Sequence, residues 1–178
     1  TGVATSISAF VGRARRGPVD NDAQGLSPTR VRSFAEFERL FGGLWDEAPM
    51  SFAVNHYFQN GGSEALIVRV VGSGTATASR AFGDLTLSAA NPGLWGGEIE
   101  VTIDTADGMG GALAAPLYNL TLRDAATGQR EVHFGLSPAA RHPRFADQVL
   151  LGSALVRGST AAATRPSAAA AQRLTIAA

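Results

Sequence analysis

The chain contains no cysteine and no lysine. Without cysteine there is no disulfide framework, no thiolate nucleophile and no cysteine-ligated metal centre. All fifteen basic residues are arginines, and fifteen acids balance them to a formal net charge of zero. A nucleic-acid binder ordinarily carries a basic excess, because neutralised phosphates supply much of its affinity, so no nucleic-acid partner is expected. Near-zero charge also removes the self-repulsion that keeps many proteins apart, which leaves packing into an assembly unopposed. No apolar run approaches the ~20 residues of a membrane span. The opening lacks the order of a secretory signal, since Arg13, Arg15 and Arg16 follow the apolar stretch rather than precede it.

What is present is globular material. A chain of 178 residues can bury a real core, as one domain or two small ones, and 45% hydrophobic with 17% charged residues excludes a disordered composition. Thr5 to Gly12 alternates, with Ile7, Ala9 and Val11 on one face of an expected strand and Phe10 on the other. Residues 20–28 have loop chemistry, and Thr29 to Arg32 fits a short second strand. Ser33-x-x-Glu36 is a capping box, so a helix begins there; Phe34, Phe37, Leu40 and Phe41 share one side, and Gly42-Gly43 stops it. A second helix opens at Pro49, with Met50, Ala53, Val54, Tyr57 and Phe58 at helical spacing and Asn60-Gly61-Gly62 at its end. Leu66 to Val71, almost continuously apolar, is expected to be a central strand packed by those helices.

Gly72 to Thr75 reads as a linker, after which the pattern changes. Leu85, Leu87 and Ala89 alternate; Asn91-Pro92-Gly93 turns the chain; Ile99, Val101 and Ile103 alternate again. Leu117 to Arg123 and Glu131 to Leu136 flank Asp124–Gly128 as a hairpin. Four alternating segments at this spacing suggest a β-sandwich with one short helix over Arg144 to Leu151, and Ala154 to Arg157 as a further strand. Gly158 to Ala171 is low-complexity and reads as a loop or linker around Pro166, with a last strand at Arg173 to Ile176. The fold class is therefore α+β: an α/β region over 1–74, a β-sandwich over 75–160 and a linker over 161–178.

Candidate chemistry is thin. Val70-Val71-Gly72-Ser73-Gly74 opens like a dinucleotide fingerprint, but Thr77 stands where the third glycine belongs. His56, His133 and His142 have no metal-ligand spacing, and no G-x-S-x-G elbow supports a serine nucleophile. No catalytic residue, cofactor or metal is expected. Arg13, Arg15 and Arg16 form the one basic cluster, read either as the solvated flank of a loop or as an inter-subunit salt-bridge strip. Trp45 and Trp95 are expected to anchor core or turns; exposed on a flat face, they would instead make a sugar platform.

The order of landmarks carries more than any one of them. Thr5-Ser6 with Ala9-Phe10-Val11-Gly12-Arg13, then Arg16-Gly17-Pro18-Val19, Ser33-Phe34-Ala35-Glu36-Phe37, Phe41-Gly42-Gly43, Tyr57-Phe58, Asn60-Gly61-Gly62 and the strand ending at Val70 resemble the opening of contractile tail sheath proteins of bacteriophages and related injection machines. Ala90-Asn91-Pro92-Gly93-Leu94-Trp95-Gly96-Gly97 is similar to the family's A-x-x-P-G-x-W-G-N segment, with Gly97 in place of the usual Asn. Glu131 to Ser137 and Val149 to Val156 also resemble its later sandwich.

The resemblance implies a structural, non-enzymatic subunit that polymerises around an inner tube and contracts to drive it through a target envelope. Its partners would be other sheath subunits, tube and baseplate proteins. Its location would be a virion tail or a tail-like particle assembled in the bacterial cytoplasm. Family members carry an arm before these residues and further domains after them, so this chain is expected to be a fragment and, alone, a monomer. A carbohydrate- or protein-binding sandwich module of a phage or bacterial surface particle is the alternative.

Overall fold

The computed structural model describes residues 7–19 and 28–176. The expected start of the first strand at Thr5-Ser6 and the loop expected over residues 20–27 lie outside the described residues. The fold is α+β, in two compact units, Thr1–Thr75 and Ala76–Ala178.

In the first unit β1 (Ile7–Gly12), β2 (Thr29–Val31) and β3 (Glu64–Arg69) form a sheet in the order β1-β3-β2. β1 runs parallel and β2 antiparallel to β3. Helix α1 (Phe34–Phe41) begins where Ser33 Oγ accepts the Glu36 N–H at 3.1 Å. The return arm of the box lands one residue early, on the Arg32 N–H at 2.9 Å. Gly42, at φ +91°, stops the helix by donating to the Glu38 carbonyl. Pro49 lies just outside α2 (Met50–Gln59) as its cap. Phe37 and Phe41 are stacked at 5.2 Å and fully buried with Val31, Val54 and Ile67. Each such side chain contributes roughly 2 kcal/mol through removal from water.

The two faces of β1 are covered unequally, where the alternating apolar residues left both open to burial. Phe10 turns to the helices and meets Tyr57 edge-on at 5.6 Å, while Val11 is 66% exposed and Ile7 half exposed. Alternation marks two faces but not which one is covered. Ala53 likewise departs from its helix stripe and faces solvent. The central strand starts two residues earlier than expected and ends at Arg69.

The second unit packs β4 (Ser79–Phe82), β5 (Leu85–Ala89) and β9 (Val156–Thr160), in the order β4-β5-β9, around one core with a four-stranded sheet. That sheet has the order β10-β6-β7-β8, from β6 (Ile99–Asp104), β7 (Tyr118–Asp124), β8 (Arg130–Leu136) and β10 (Ala169–Arg173). Leu85 and Leu87 of one sheet and Val101, Ile103, Leu120 and Leu122 of the other are buried together, as inward-facing residues of a sandwich must be. Helix α3 (Ala146–Leu150) packs against β9, and a 3-10 helix at Leu94–Glu98, absent from the sequence reading, buries Trp95.

The hairpin β7–β8 turns because buried Asp124 accepts the Ala126 and Thr127 N–H groups and the Thr127 hydroxyl. The low-complexity segment does not remain a linker. β9 runs on to Thr160, and Ala169–Arg173 pairs antiparallel with β6, earlier than the last strand expected at Arg173 to Ile176.

Candidate functional site

The chain leaves β1 through Arg13, Ala14, Arg15 and Arg16, and the structure separates the three arginines. Arg16 is only 3% exposed. Its Nη2 donates to the Arg39 carbonyl at 3.0 Å and its N–H to the Phe41 carbonyl at 3.2 Å. These lie in the last turn of α1, where a cation complements the helix dipole. Arg15 is half-buried, its Cβ lying against Gly42. Arg13 alone is well exposed, with Nη2 3.7 Å from Glu47 Oε2 and its guanidinium over the Trp45 ring at 5.2 Å.

A fourth arginine, at the end of β3, fixes this loop. Arg69 is 5% exposed; its Nε donates to the Ala14 carbonyl at 3.1 Å and its Nη1 to the Gly17 carbonyl at 2.8 Å. Burial pulls its guanidinium down to about 10, which leaves it charged at neutral pH. No local pattern announced this: charge alone does not tell Arg16 and Arg69, which turn inward, from Arg13, which stays exposed.

Beside Arg13 opens a cavity of about 330 Å³ between the end of β1 and the start of α2. Phe10, Val11, Pro49, Met50 and Ala53 make its apolar walls, and Arg13 and Glu47 stand at its charged margin. Among the described residues β1 pairs only with β3, so this cavity lies against a sheet edge.

In the second unit, the Asp107 to Gly111 loop is closed by the Ala106–Ala112 bridge. Asp107 Oδ1 accepts the Met109 and Gly111 N–H groups, each at 2.8 Å. These bonds hold the carboxyl below the usual carboxylate range. Met109 sits at the tip, 90% exposed.

Of the three histidines, His133 lies beside a serine–carboxylate pair. Its Nε2 lies 3.4 Å from Glu131 Oε2, and Ser153 Oγ donates to that same oxygen at 2.6 Å. The carboxylate thus stands between serine and histidine. Ser153 Oγ is buried and accepts the Leu155 and Val156 N–H groups, while the Ala154 N–H donates to Glu131 Oε1. The group ties β8 to the turn between α3 and β9, and in this order His133 has no contact through which to take the serine proton. Burial pushes the Glu131 carboxyl up, but bonds from His133, Ser153 and Ala154 outweigh it and leave it below the usual range. His56 is exposed on α2, and His142 Nδ1 accepts the Arg144 N–H.

Gly72 to Thr75 forms a turn in which Thr75 bonds back to the Gly72 carbonyl. Trp95 is buried and donates to the Asn91 carbonyl; Trp45 is half-buried under Arg13. Among the described residues no helix is long and apolar enough to cross a membrane.

No family model matches the chain, and no curated protein matches it by sequence. Its fold does have solved counterparts. The sheath tail protein Lin1278 from Listeria innocua superposes with a TM-score of 0.66 at 11% identity, over 98% of this chain and 34% of that one. The sheath tail protein DSY3957 from Desulfitobacterium hafniense gives 0.60 at 15% identity, over 95% and 34%. This chain therefore spans about a third of the length of these proteins and shares the fold of that third.

Proposed function

We propose that this chain is part of a contractile tail sheath subunit: an N-terminal α/β region and a β-sandwich of a longer structural protein that polymerises around an inner tube. The observation that supports this most is the fold likeness over 98% of the chain, spanning both units, to a sheath tail protein. The ordered landmarks from Ala9-Phe10-Val11-Gly12-Arg13 to Ala90–Gly97 support the same reading independently of the fold.

In this reading the protein works through surfaces. Contraction of a sheath is a transition between two packings of many copies, in which modest interface changes propagate along the array. Arg13 is the member of the arginine cluster suited to exchange partners between packings, being exposed and held by an ion pair at 3.7 Å that is worth little in water. Arg15 and Arg16 serve the loop that presents it. Other sheath subunits, the tube and the baseplate are the partners, in a tail or tail-like particle.

Electron microscopy of the complete reading frame beside this chain tests the proposal. Hollow tubes or stacked rings from the complete protein support it. A dispersed complete protein, alone and with its tube protein, would overturn it in favour of a binding module.

A further inference from the structure

We propose that residues 169–175 are a releasable strap: a segment that sews the two sheets of the second unit together along one seam and opens locally while the core stays folded. The strap is a property of this chain alone and stands whether or not a sheath forms.

The segment bonds to the outer strands of both sheets. Residues 169–173 pair with β6, and the Leu174 N–H donates to the Ile99 carbonyl at 3.1 Å. Thr175 then crosses to β4: its carbonyl accepts the Ser79 N–H at 2.8 Å and its N–H donates to the Ser79 carbonyl at 3.2 Å. The Thr175 hydroxyl also donates to the Ser79 carbonyl, and Arg80 Nη1 donates to the Arg173 carbonyl. With the strap lifted, β6 becomes an edge strand and β4 loses its bridge.

Little side-chain burial holds the strap down. Ala169 and Leu174 are buried, while Ala170, Ala171, Gln172, Arg173 and Thr175 are exposed. Removal of apolar area from water is the main stabilising term, so one leucine and one alanine hold the segment weakly. Its ladder is also interrupted. The register runs from Ala169 opposite Ile103 to Gln172 opposite Val101, so Ala170 and Ala171 together face Thr102. A bulge of this kind disrupts pairing and is most at ease with glycine in the left-handed position. Here Ala171 has φ +47°, the one positive φ outside glycine among the described residues, and its Cβ strains the backbone. Thr102 Oγ1 accepts the Ala171 N–H at 3.1 Å and steadies the bulge.

Charge supplies the latch. Arg173 Nη1 lies 3.1 Å from Glu98 Oε2, and its Nη2 lies 3.4 Å from Glu100 Oε1. Glu100 also pairs with Arg123 of β7, so strap, β6 and β7 share one ion network. Arg173 is half exposed, and salt screens pairs of this kind. β7, by contrast, is paired on both sides and buries Tyr118, Leu120 and Leu122 completely. Opening the strap therefore costs much less than unfolding β7. Once it opens, the N–H and C=O groups of β6 that faced it become a template for another strand. The strap thus governs whether the sandwich offers that edge.

Hydrogen exchange of the whole chain, resolved to single amides, tests this. The Ala171, Leu174 and Thr175 amides are expected to exchange about 100-fold faster than those of Thr121 and Leu122 in β7, yet slower than an unstructured chain. Leu87→Val, a core change that strap opening leaves in place, should speed the β7 amides about tenfold and leave the strap amides as they were. Arg173→Gln should speed the strap amides several-fold, as should about 0.5 M sodium chloride on the native protein, and salt should add little to the variant. Ala171→Gly should slow them several-fold, because glycine takes the left-handed conformation freely. Strap amides that follow β7 in Leu87→Val would show that the segment opens only with the core, and would overturn the proposal. Exchange at the unstructured rate, or indifferent to both Arg173→Gln and salt, would overturn it as well.

Discussion

Arg69 Nη1 lies 2.8 Å from the Gly17 carbonyl, binding the end of the central strand to the loop that leaves the first one. The same guanidinium holds the Ala14 carbonyl, so one buried side chain satisfies two backbone acceptors 52 and 55 residues away. Buried carbonyls left without donors are expensive.

Arg69→Ala is therefore expected to destabilise the first unit by about 2–4 kcal/mol. Arg69→Lys should recover only part of this, because an ammonium lacks the forked geometry that spans two carbonyls. Urea denaturation followed by Trp45 fluorescence checks it; Trp45 lies in the first unit and Trp95 in the second, so a Trp95→Phe background isolates the signal. Equal stability of the alanine and lysine variants would sink the account.

Gly17 is required on two grounds. Its φ is +113°, and an added Cβ would stand 2.5 Å from the Phe41 ring. Gly61 has a similar φ of +89° with open space around it. Gly17→Ala should therefore cost about 2–4 kcal/mol, from backbone strain and displacement of a fully buried ring. Gly61→Ala should cost about 1 kcal/mol from the backbone alone. Thermal unfolding of the pair separates the steric part from the conformational part, and equal losses would show that the Phe41 contact does not matter.

The buried hydroxyl of Tyr118 has no hydrogen-bond partner among the described residues. Burial, with the charge of Asp147 adding to it, raises its pKa above the ordinary phenol value, so the hydroxyl stays neutral over the working range. Replacing it with hydrogen removes a desolvation cost and little else. Tyr118→Phe is expected to be neutral or to stabilise the second unit by up to about 1 kcal/mol. A clear loss of stability in urea titrations would mean that the hydroxyl is satisfied after all.

How much of this was legible in sequence follows the range of the interactions. Helix α1 was readable because Ser33, Glu36 and Gly42 act within a few residues of themselves. The β7–β8 hairpin was readable because Asp124 organises its own turn. The covered face of β1 was not, since Ile7-Ala9-Val11 and Phe10 are equally apolar and the choice depends on Tyr57, far along the chain. Nor was β10, whose alanines have no strand signature of their own and are held by β6, about seventy residues earlier. The arginine cluster looked uniform because charge says nothing about direction. Arg16 turns inward to carbonyls at the end of α1, which lie more than twenty residues away in sequence. The Glu131–Ser153 contact joins residues 22 apart, and no local pattern announces it.

That contact carries a pH dependence. The folded Glu131 carboxyl titrates below its ordinary range, while the unfolded one titrates near 4.3 as in model peptides. A lowered folded value means that the unfolded chain takes up the proton first as pH falls. Stability from the ionised group is therefore fully present above about pH 5 and is lost as pH drops through the folded value. At pH 7, Glu131→Gln removes the charged acceptor for Ser153, His133 and the Ala154 N–H, and should cost the second unit about 1–3 kcal/mol. As pH falls through the folded value the native group itself becomes neutral, so the difference between the two proteins should shrink. Urea titrations from pH 3 to 7, followed by Trp95 in a Trp45→Phe background, measure both curves. A gap that stays constant across the range would show that the group's value is geometric, with its charge contributing nothing to how β8 is tied to the α3–β9 turn.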